Sequence, residues 1–227
     1  MGGKTRLAQA LYAASSRAGH RTFVAYGGTP AERASLLALY PESALVDGTE
    51  RAGTVQPKCI VVCALGLAHP AQPDIDRHME RLAWDSRLLS TLVSNSRDRI
   101  HVILVSTVIA LVPPRDRAYY AAFKNLAEAV VAASLRDSVG SRMSVLYPGR
   151  LVERCGFSRI ADLFATPYGS LARRLVAIAS ADKPVARVVG LDARLWVLAK
   201  AVRTLVGAVS PNCGVTPVQA RDGLPRI

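Results

Sequence analysis

Two short runs constrain this chain more than anything else in it. Cys59-Ile60-Val61-Val62-Cys63 and His101-Val102-Ile103-Leu104-Val105-Ser106 are almost wholly apolar. A strand with one wet face alternates apolar and polar residues, so a continuous run calls for cover on both faces. The stretches between such runs supply the cover. Leu7 to Ala14 has helical character and ends near Gly19, Ala31 to Leu39 is helical, and from Ile75 to Val93 the residues Ile75, Met79, Leu82, Leu89 and Val93 recur at helical spacing. Ala118 to Leu135 and Ser170 to Ala179 continue the pattern. Further strands are expected at Thr22–Tyr26, closed by Gly27-Gly28, at Ala44–Asp47, at Met143–Tyr147, stopped by Pro148-Gly149, and at Ala186–Gly190. A final helix, about 191–209, carries Leu191, Leu195, Leu198, Val202, Leu205 and Val209 along one stripe.

Strands alternating with helices at this spacing specify an α/β fold with a doubly wound parallel sheet, a three-layer α/β/α Rossmann-type arrangement. The 227 residues, half of them hydrophobic, suffice for one such domain spanning 1–227. No run of about 18 uncharged apolar residues is present to span a bilayer. The N-terminal Met1-Gly2-Gly3-Lys4-Thr5-Arg6 lacks the apolar stretch of a secretory signal, so a cytoplasmic location is expected. The four cysteines, at 59, 63, 155 and 213, form no C-x-x-C and are expected as reduced thiols without a zinc site. The net charge is +12, but it is spread along the chain and aromatics make up only 6%. A nucleic-acid surface more often clusters its arginines with aromatics, so no nucleic-acid partner is expected.

The chemistry-bearing residues lie early in the Ala118–Leu135 helix. Tyr120 and Lys124 are four apart and share a helix face, so phenol and ammonium stand side by side. A neighbouring cation favours the phenolate and is expected to lower the tyrosine toward working pH, as proton donation to a carbonyl needs. Tyr119 is out of register with Lys124 and is expected to pack. Ser106 and Thr107 end a buried strand upstream, where either hydroxyl could polarise a carbonyl.

In this arrangement the chain resembles the short-chain dehydrogenases/reductases, and the resemblance covers most of its length. Tyr120-Ala121-Ala122-Phe123-Lys124 is similar to that family's Y-x-x-x-K, with Thr107 aligning best with its catalytic serine and Ser106 as neighbour. Cys63-Ala64-Leu65-Gly66 stands where the family has N-N-A-G: Gly66 is kept and both asparagines are lost, Ala64 standing in place of the second. Asp47 follows its strand like the family's adenine-contacting aspartate, and Tyr147-Pro148-Gly149 resembles the P-G turn beside the nicotinamide. Asp85 stands where the catalytic tetrad has an asparagine and offers no amide donor. The T-G-x-x-x-G-x-G turn maps onto Met1 to Ala8: Gly2 is retained, whereas Arg6 and Ala8 replace the later glycines.

The resemblance implies an NAD(P)-dependent oxidoreductase interconverting a hydroxyl and a carbonyl. Tyr120 would be acid/base, Lys124 would also hold the nicotinamide ribose, and Thr107 or Ser106 would orient the carbonyl. Gly2, Lys4, Arg6, Asp47, Ala64, Gly66, Lys124, Pro148 and Gly149 would meet the cofactor. Lys4 and Arg6 lean toward NADP, since phosphate binds well at a cationic helix N-terminus, and Gly27 supplies no carboxylate for a ribose diol. A homo-oligomer is the family's usual state. The substrate would be a small molecule, or a lipid-like one if the final helix, with Arg194, Lys200 and Arg203 opposite its stripe, lay on a membrane rather than serving as lid or dimer face.

Two expectations compete. The turn glycines follow Met1 at once, so the first Rossmann strand, central in the sheet, is expected to be missing; either the start lies upstream or the protein is a degenerate, non-catalytic Rossmann module. Gly2-Gly3-Lys4-Thr5 also looks like the end of a P-loop, G-x-x-x-x-G-K-[ST], although no apolar strand here ends in a Walker B acid.

Overall fold

The computed structural model describes residues 2–26, 29–47, 56–66, 74–96, 99–153, 164–181 and 184–209, the last five by backbone alone. Local rules set its helix starts. Thr5 caps α1 (Arg6–Arg17) by accepting from the Ala8 amide, and Thr29 caps α2 (Pro30–Leu37), whose Pro30 occupies the first turn, where its missing N–H costs nothing. Asp74 caps α3 (Ile75–Ser94), the run whose apolar spacing predicts it.

Between these helices lie β1 (Val24–Tyr26), β2 (Leu45–Asp47), β3 (Cys59–Val62) and β4 (His101–Val105). A single turn, α4 (Val108–Leu111), follows β4, and then come α5 (Ala118–Ser134) and β5 (Arg142–Pro148). A two-residue parallel bridge joins β6 (Leu151–Val152) to β7 (Thr166–Pro167), after which the chain makes α6 (Tyr168–Ala179), β8 (Ala186–Val189) and α7 (Leu191–Val209). The turn α4 and the β6–β7 bridge carry no periodicity and are additions to the expected elements.

All strand pairs among the described residues are parallel. Four strands form one sheet in the order β3-β4-β5-β8, with Ile60 opposite Val102 and Val105 opposite Leu146. On one face Ile60, Val62, Val102 and Leu104 pack against Leu82 and Leu89 of α3 and Phe123, Ala127 and Val131 of α5. On the other Ile103, Val105 and Leu146 pack against Leu7 of α1 and Leu171, Leu175 and Ile178 of α6. Each such aliphatic side chain withdrawn from water contributes roughly 1.5–3 kcal/mol. The two-sided cover explains why β4 is buried at every position. The fold is the doubly wound three-layer α/β/α arrangement that the sequence predicts.

The ladder is broken where the missing strand is expected. β1 and β2 form a separate parallel pair with their own core of Val24, Tyr26, Leu36 and Tyr40. The Gly2-Gly3 stretch bridges the two sheets, Gly2 packing on Ala64 just after β3 and Gly3 against Val24 at the start of β1. A Cβ at Gly2, whose φ is +76°, would stand 2.7 Å from the Ala64 nitrogen, and one at Gly3 would strike Val24. The Tyr40 hydroxyl donates to the Gly3 carbonyl at 2.6 Å. These glycines are therefore needed for close approach of backbone to both half-sheets.

Candidate active site

In a parallel sheet the carboxyl ends of neighbouring strands share one edge, where ligands of such folds bind. Here that edge opens as a cleft of about 300 Å³. Thr5, Arg6 and Leu7 at the start of α1 form one wall, Cys63 and Ala64 after β3 and Val105, Ser106 and Thr107 after β4 the floor. Tyr120 and Lys124 of α5 enter from above, and Pro148, Gly149, Leu151 and Tyr168 close the far side. Eight residues singled out from the sequence thus meet in one place: Arg6, Ala64, Ser106, Thr107, Tyr120, Lys124, Pro148 and Gly149.

The electrostatics of the pair differ from expectation. Lys124 holds its Nζ over the Tyr120 ring, 5.5 Å from the centroid. Burial pushes the Tyr120 phenol above its usual 10.0, and the cation opposing that rise is Arg117. The expected lowering by Lys124 is therefore corrected: desolvation of the charged form wins. Burial likewise lowers the Lys124 ammonium, with the Glu128 carboxylate working to raise it.

Glu128 is the residue that the sequence reading missed. Its Oε1 accepts from the Ser106 hydroxyl at 2.5 Å and its Oε2 from the Tyr147 hydroxyl at 2.9 Å. The available signal was the run Tyr120, Lys124, Glu128 at i, i+4 and i+8, which places all three along one face of α5. With Ser106 turned to Glu128, Thr107 is the other of the two candidate strand-end hydroxyls; it caps α4, accepting from the Ile109 amide at 3.4 Å. Burial pushes the cleft-lining Cys63 thiol up to about 11, which keeps it protonated and unreactive near neutral pH.

Other expected site residues lie elsewhere. Asp85 is only 5% exposed, and its carboxylate accepts from the Gly66 amide at 2.8 Å and pairs with Arg81 at 3.3 Å. The carboxylate braces the turn after β3 rather than lining the cleft, which corrects its assignment among the catalytic residues. Gly66 has φ +66°, and a Cβ there would meet the Phe123 ring, so it serves the turn itself. Gly2 packs on Ala64, Lys4 is exposed, and Asp47 ends β2 outside the cleft lining. Arg6 lines the cleft but forms an exposed ion pair with Glu153 at 2.5 Å. Thr5, the last residue of the P-loop-like Gly2-Gly3-Lys4-Thr5, caps α1 through its hydroxyl. Tyr119 packs as expected, stacked on the buried His78 with its hydroxyl 2.6 Å from Nδ1. Gly27, Cys155 and Cys213 lie outside the described residues.

In sequence the chain matches no family model and no curated protein. In structure it is similar to a short-chain dehydrogenase from Burkholderia cenocepacia solved in complex with NADP, with TM-score 0.62 and 16% identity over 94% of this chain and 96% of that one. It is also similar to an alcohol dehydrogenase from Thermococcus sibiricus complexed with 5-hydroxy-NADP, with TM-score 0.58 and 13% identity over 84% and 94% of the two chains. A short-chain dehydrogenase/reductase from Brucella melitensis gives TM-score 0.59 and 12% identity over 82% and 92%. Identities this low establish the fold alone: the chain has the Rossmann-type architecture found in short-chain dehydrogenases.

Proposed function

We propose that this protein is an NAD(P)-dependent oxidoreductase interconverting a carbonyl and a hydroxyl group, with NADP favoured. The observation that carries the reading is that Tyr120, Lys124 and Thr107 open together into one cleft at the carboxyl edge of the sheet. Neighbours of the same fold, in complex with NADP and with NADPH, support the cofactor.

The lining fits a nicotinamide dinucleotide. The start of α1 has no acidic residue in its first turn and carries Arg6, so its partial positive charge is available to a pyrophosphate. Pro148 and Gly149 offer a backbone edge beside Lys124 for the nicotinamide end. When bound, the dinucleotide supplies or accepts the hydride; the protein binds, orients and moves a proton.

Tyr120, held protonated by burial, donates its phenolic proton to the carbonyl oxygen as the alcohol forms, and takes a proton from the alcohol in the reverse direction. The Thr107 hydroxyl donates a hydrogen bond to the same oxygen. Lys124, kept cationic with the help of Glu128, holds the ribose and stabilises the phenolate that proton donation leaves behind. Glu128 also holds Ser106 and Tyr147 in place at the cleft floor.

Thermal-shift measurements with NADPH, NADH and magnesium–ATP, followed by turnover of a carbonyl panel, test this. NADPH should stabilise the protein, and Tyr120→Phe should abolish turnover while keeping that stabilisation. A catalytically degenerate module is the second reading, supported by Asp85 in its bracing position and by Arg6 in the glycine turn; it predicts binding without turnover. Stabilisation by magnesium–ATP alone would favour the P-loop alternative.

A further inference from the structure

We propose that α7 is a membrane-docking helix that lays its apolar stripe on an anionic lipid surface. Leu191, Leu195, Leu198 and Val202 are 51%, 47%, 60% and 48% exposed. At about 100° per residue these four fall within an arc of about 60°, and Ala193, the residue by which α7 is buried on the body, lies on nearly the opposite face. Among the described residues the stripe therefore faces away from the body, the reverse of what an amphipathic helix does when the core is its partner. From Leu198 to Thr204 every residue is exposed, so this part of α7 has no covering element among the described residues.

Charge decides what covers the stripe. Arg194, Lys200 and Arg203 are the cations of α7 and all are exposed, as is Arg187 on the strand before it. Asp192 is the one acid on the helix, and its Oδ2 is turned inward to accept from the Arg150 amide at 2.6 Å. A second copy of this chain would set two such cationic helices against each other. An anionic lipid surface instead meets the apolar side chains with acyl chains and Arg194 and Arg203, which flank the stripe, with headgroups, the recognised chemistry of an interfacial helix, while Lys200, on the face opposite the stripe, adds to the longer-range attraction. The net charge of +12 acts in the same direction over longer range.

The root of α7 touches the cleft. Asp192 stands where a Cβ on the cleft-lining Gly149 would be, and the Trp196 indole donates to the carbonyl of Val112, just after α4, at 3.2 Å.

The test uses the full chain and two sets of vesicles, phosphatidylcholine alone and equal parts phosphatidylcholine and phosphatidylglycerol, in co-sedimentation. The protein should partition onto the anionic vesicles about tenfold or more better than onto neutral ones, with the excess lost at high salt. Leu195→Asp with Leu198→Asp should abolish binding, and Lys200→Glu with Arg203→Glu should weaken it; all four positions are exposed, and unchanged circular dichroism and melting confirm folding. Failure of the wild type to bind anionic vesicles, or equal binding by the leucine variant, overturns the proposal. So does a wild-type dimer, seen by sedimentation velocity, that the leucine variant turns into a monomer, because the stripe then belongs to a second copy. None of these outcomes depends on cofactor binding, so the oxidoreductase reading stands or falls separately.

Discussion

One helical turn apart on α5, Lys124 lies over the aromatic face of Tyr120, its Nζ 5.5 Å from the ring centroid. The ammonium is thus stacked on the ring, and what governs the phenol in the free protein is burial, which raises it above 10.0. A buried neutral phenol is a donor at neutral pH, the state that the proposed carbonyl reduction requires.

A pH dependence follows. Reduction should run at neutral pH and decline as the Tyr120 phenol loses its proton in the alkaline range, whereas alcohol oxidation should rise there. Tyr120→Phe should cost about 10²–10⁴-fold in turnover, measured by nicotinamide absorbance across pH. Because Arg117 is the cation that opposes the rise, Arg117→Ala should move the alkaline limb to higher pH. A limb that does not move sinks the assignment of Tyr120 as the titrating group.

Glu128 holds two cleft-floor hydroxyls at once, and removing its charge should be felt at both. Burial, then the hydrogen bond to Glu128 and its charge, push the Tyr147 phenol up to about 12. The raised native value means that the protonated form is favoured by folding. That contribution is fully present below the ordinary value of 10.0 and is lost as pH rises from there through about 12. Glu128→Gln should bring the Tyr147 titration down toward 10 in ultraviolet spectra, and it should lower the Lys124 ammonium further by removing the charge that raises it. Acylation of Lys124 followed by mass spectrometry over pH reads the second effect directly. An unmoved Lys124 profile counts against electrostatic support from Glu128.

The bottom of the sheet carries an acid-sensitive element. His101 is 2% exposed, with Nε2 2.7 Å from the Ser144 hydroxyl, and Ser144 Oγ accepts from the Val185 amide at 3.0 Å. Burial lowers the imidazole below its usual 6.5, with the nearby Arg142 adding to the shift. Here the unfolded chain takes up the proton first. The contribution is therefore intact above 6.5 and declines as pH falls from there toward the depressed native value. Urea melts at pH 7.5 and 5.5 should show this loss, and His101→Phe should flatten it; an equal acid loss in the variant assigns the effect to another group.

How much of this was legible in sequence varied with the range of the interaction. Strand runs such as Cys59–Val62 and His101–Val105 are set by local hydrophobicity and emerge near their expected limits. The separation of the β1–β2 pair from the four-stranded sheet matches the expectation drawn from the turn glycines at Gly2 and Gly3. Tyr120, Lys124 and Thr107 were legible because spacing along a helix and a strand end fixes where side chains go. Glu128 was not singled out because its partners lie 22 and 19 residues away on other elements. Periodicity also told that α7 has an apolar stripe but not which way it faces, since that depends on what Ala193 finds to pack against.

Asp85 offers a last test, because position alone suggested catalysis and geometry assigns a brace. Its Oδ2 accepts from the Gly66 amide at 2.8 Å, and Gly66, at φ +66°, makes the turn that carries Ala64 into the cleft. Burial raises the carboxyl above its usual 3.8, while the Gly66 hydrogen bond and Arg81 hold it down. What the turn needs is an acceptor, not a charge. Asp85→Asn, oriented with its carbonyl toward Gly66, should keep the fold and the cofactor-binding response. Asp85→Ala should cost about 1–3 kcal/mol in stability by leaving a buried amide without an acceptor. Gly66→Ala should be at least as damaging, since it adds left-handed strain to a collision with Phe123. Denaturant unfolding ranks the three variants. If Asp85→Asn instead folds with wild-type stability and loses turnover while Asp85→Ala is equally stable, the carboxylate acts in chemistry and not as a brace.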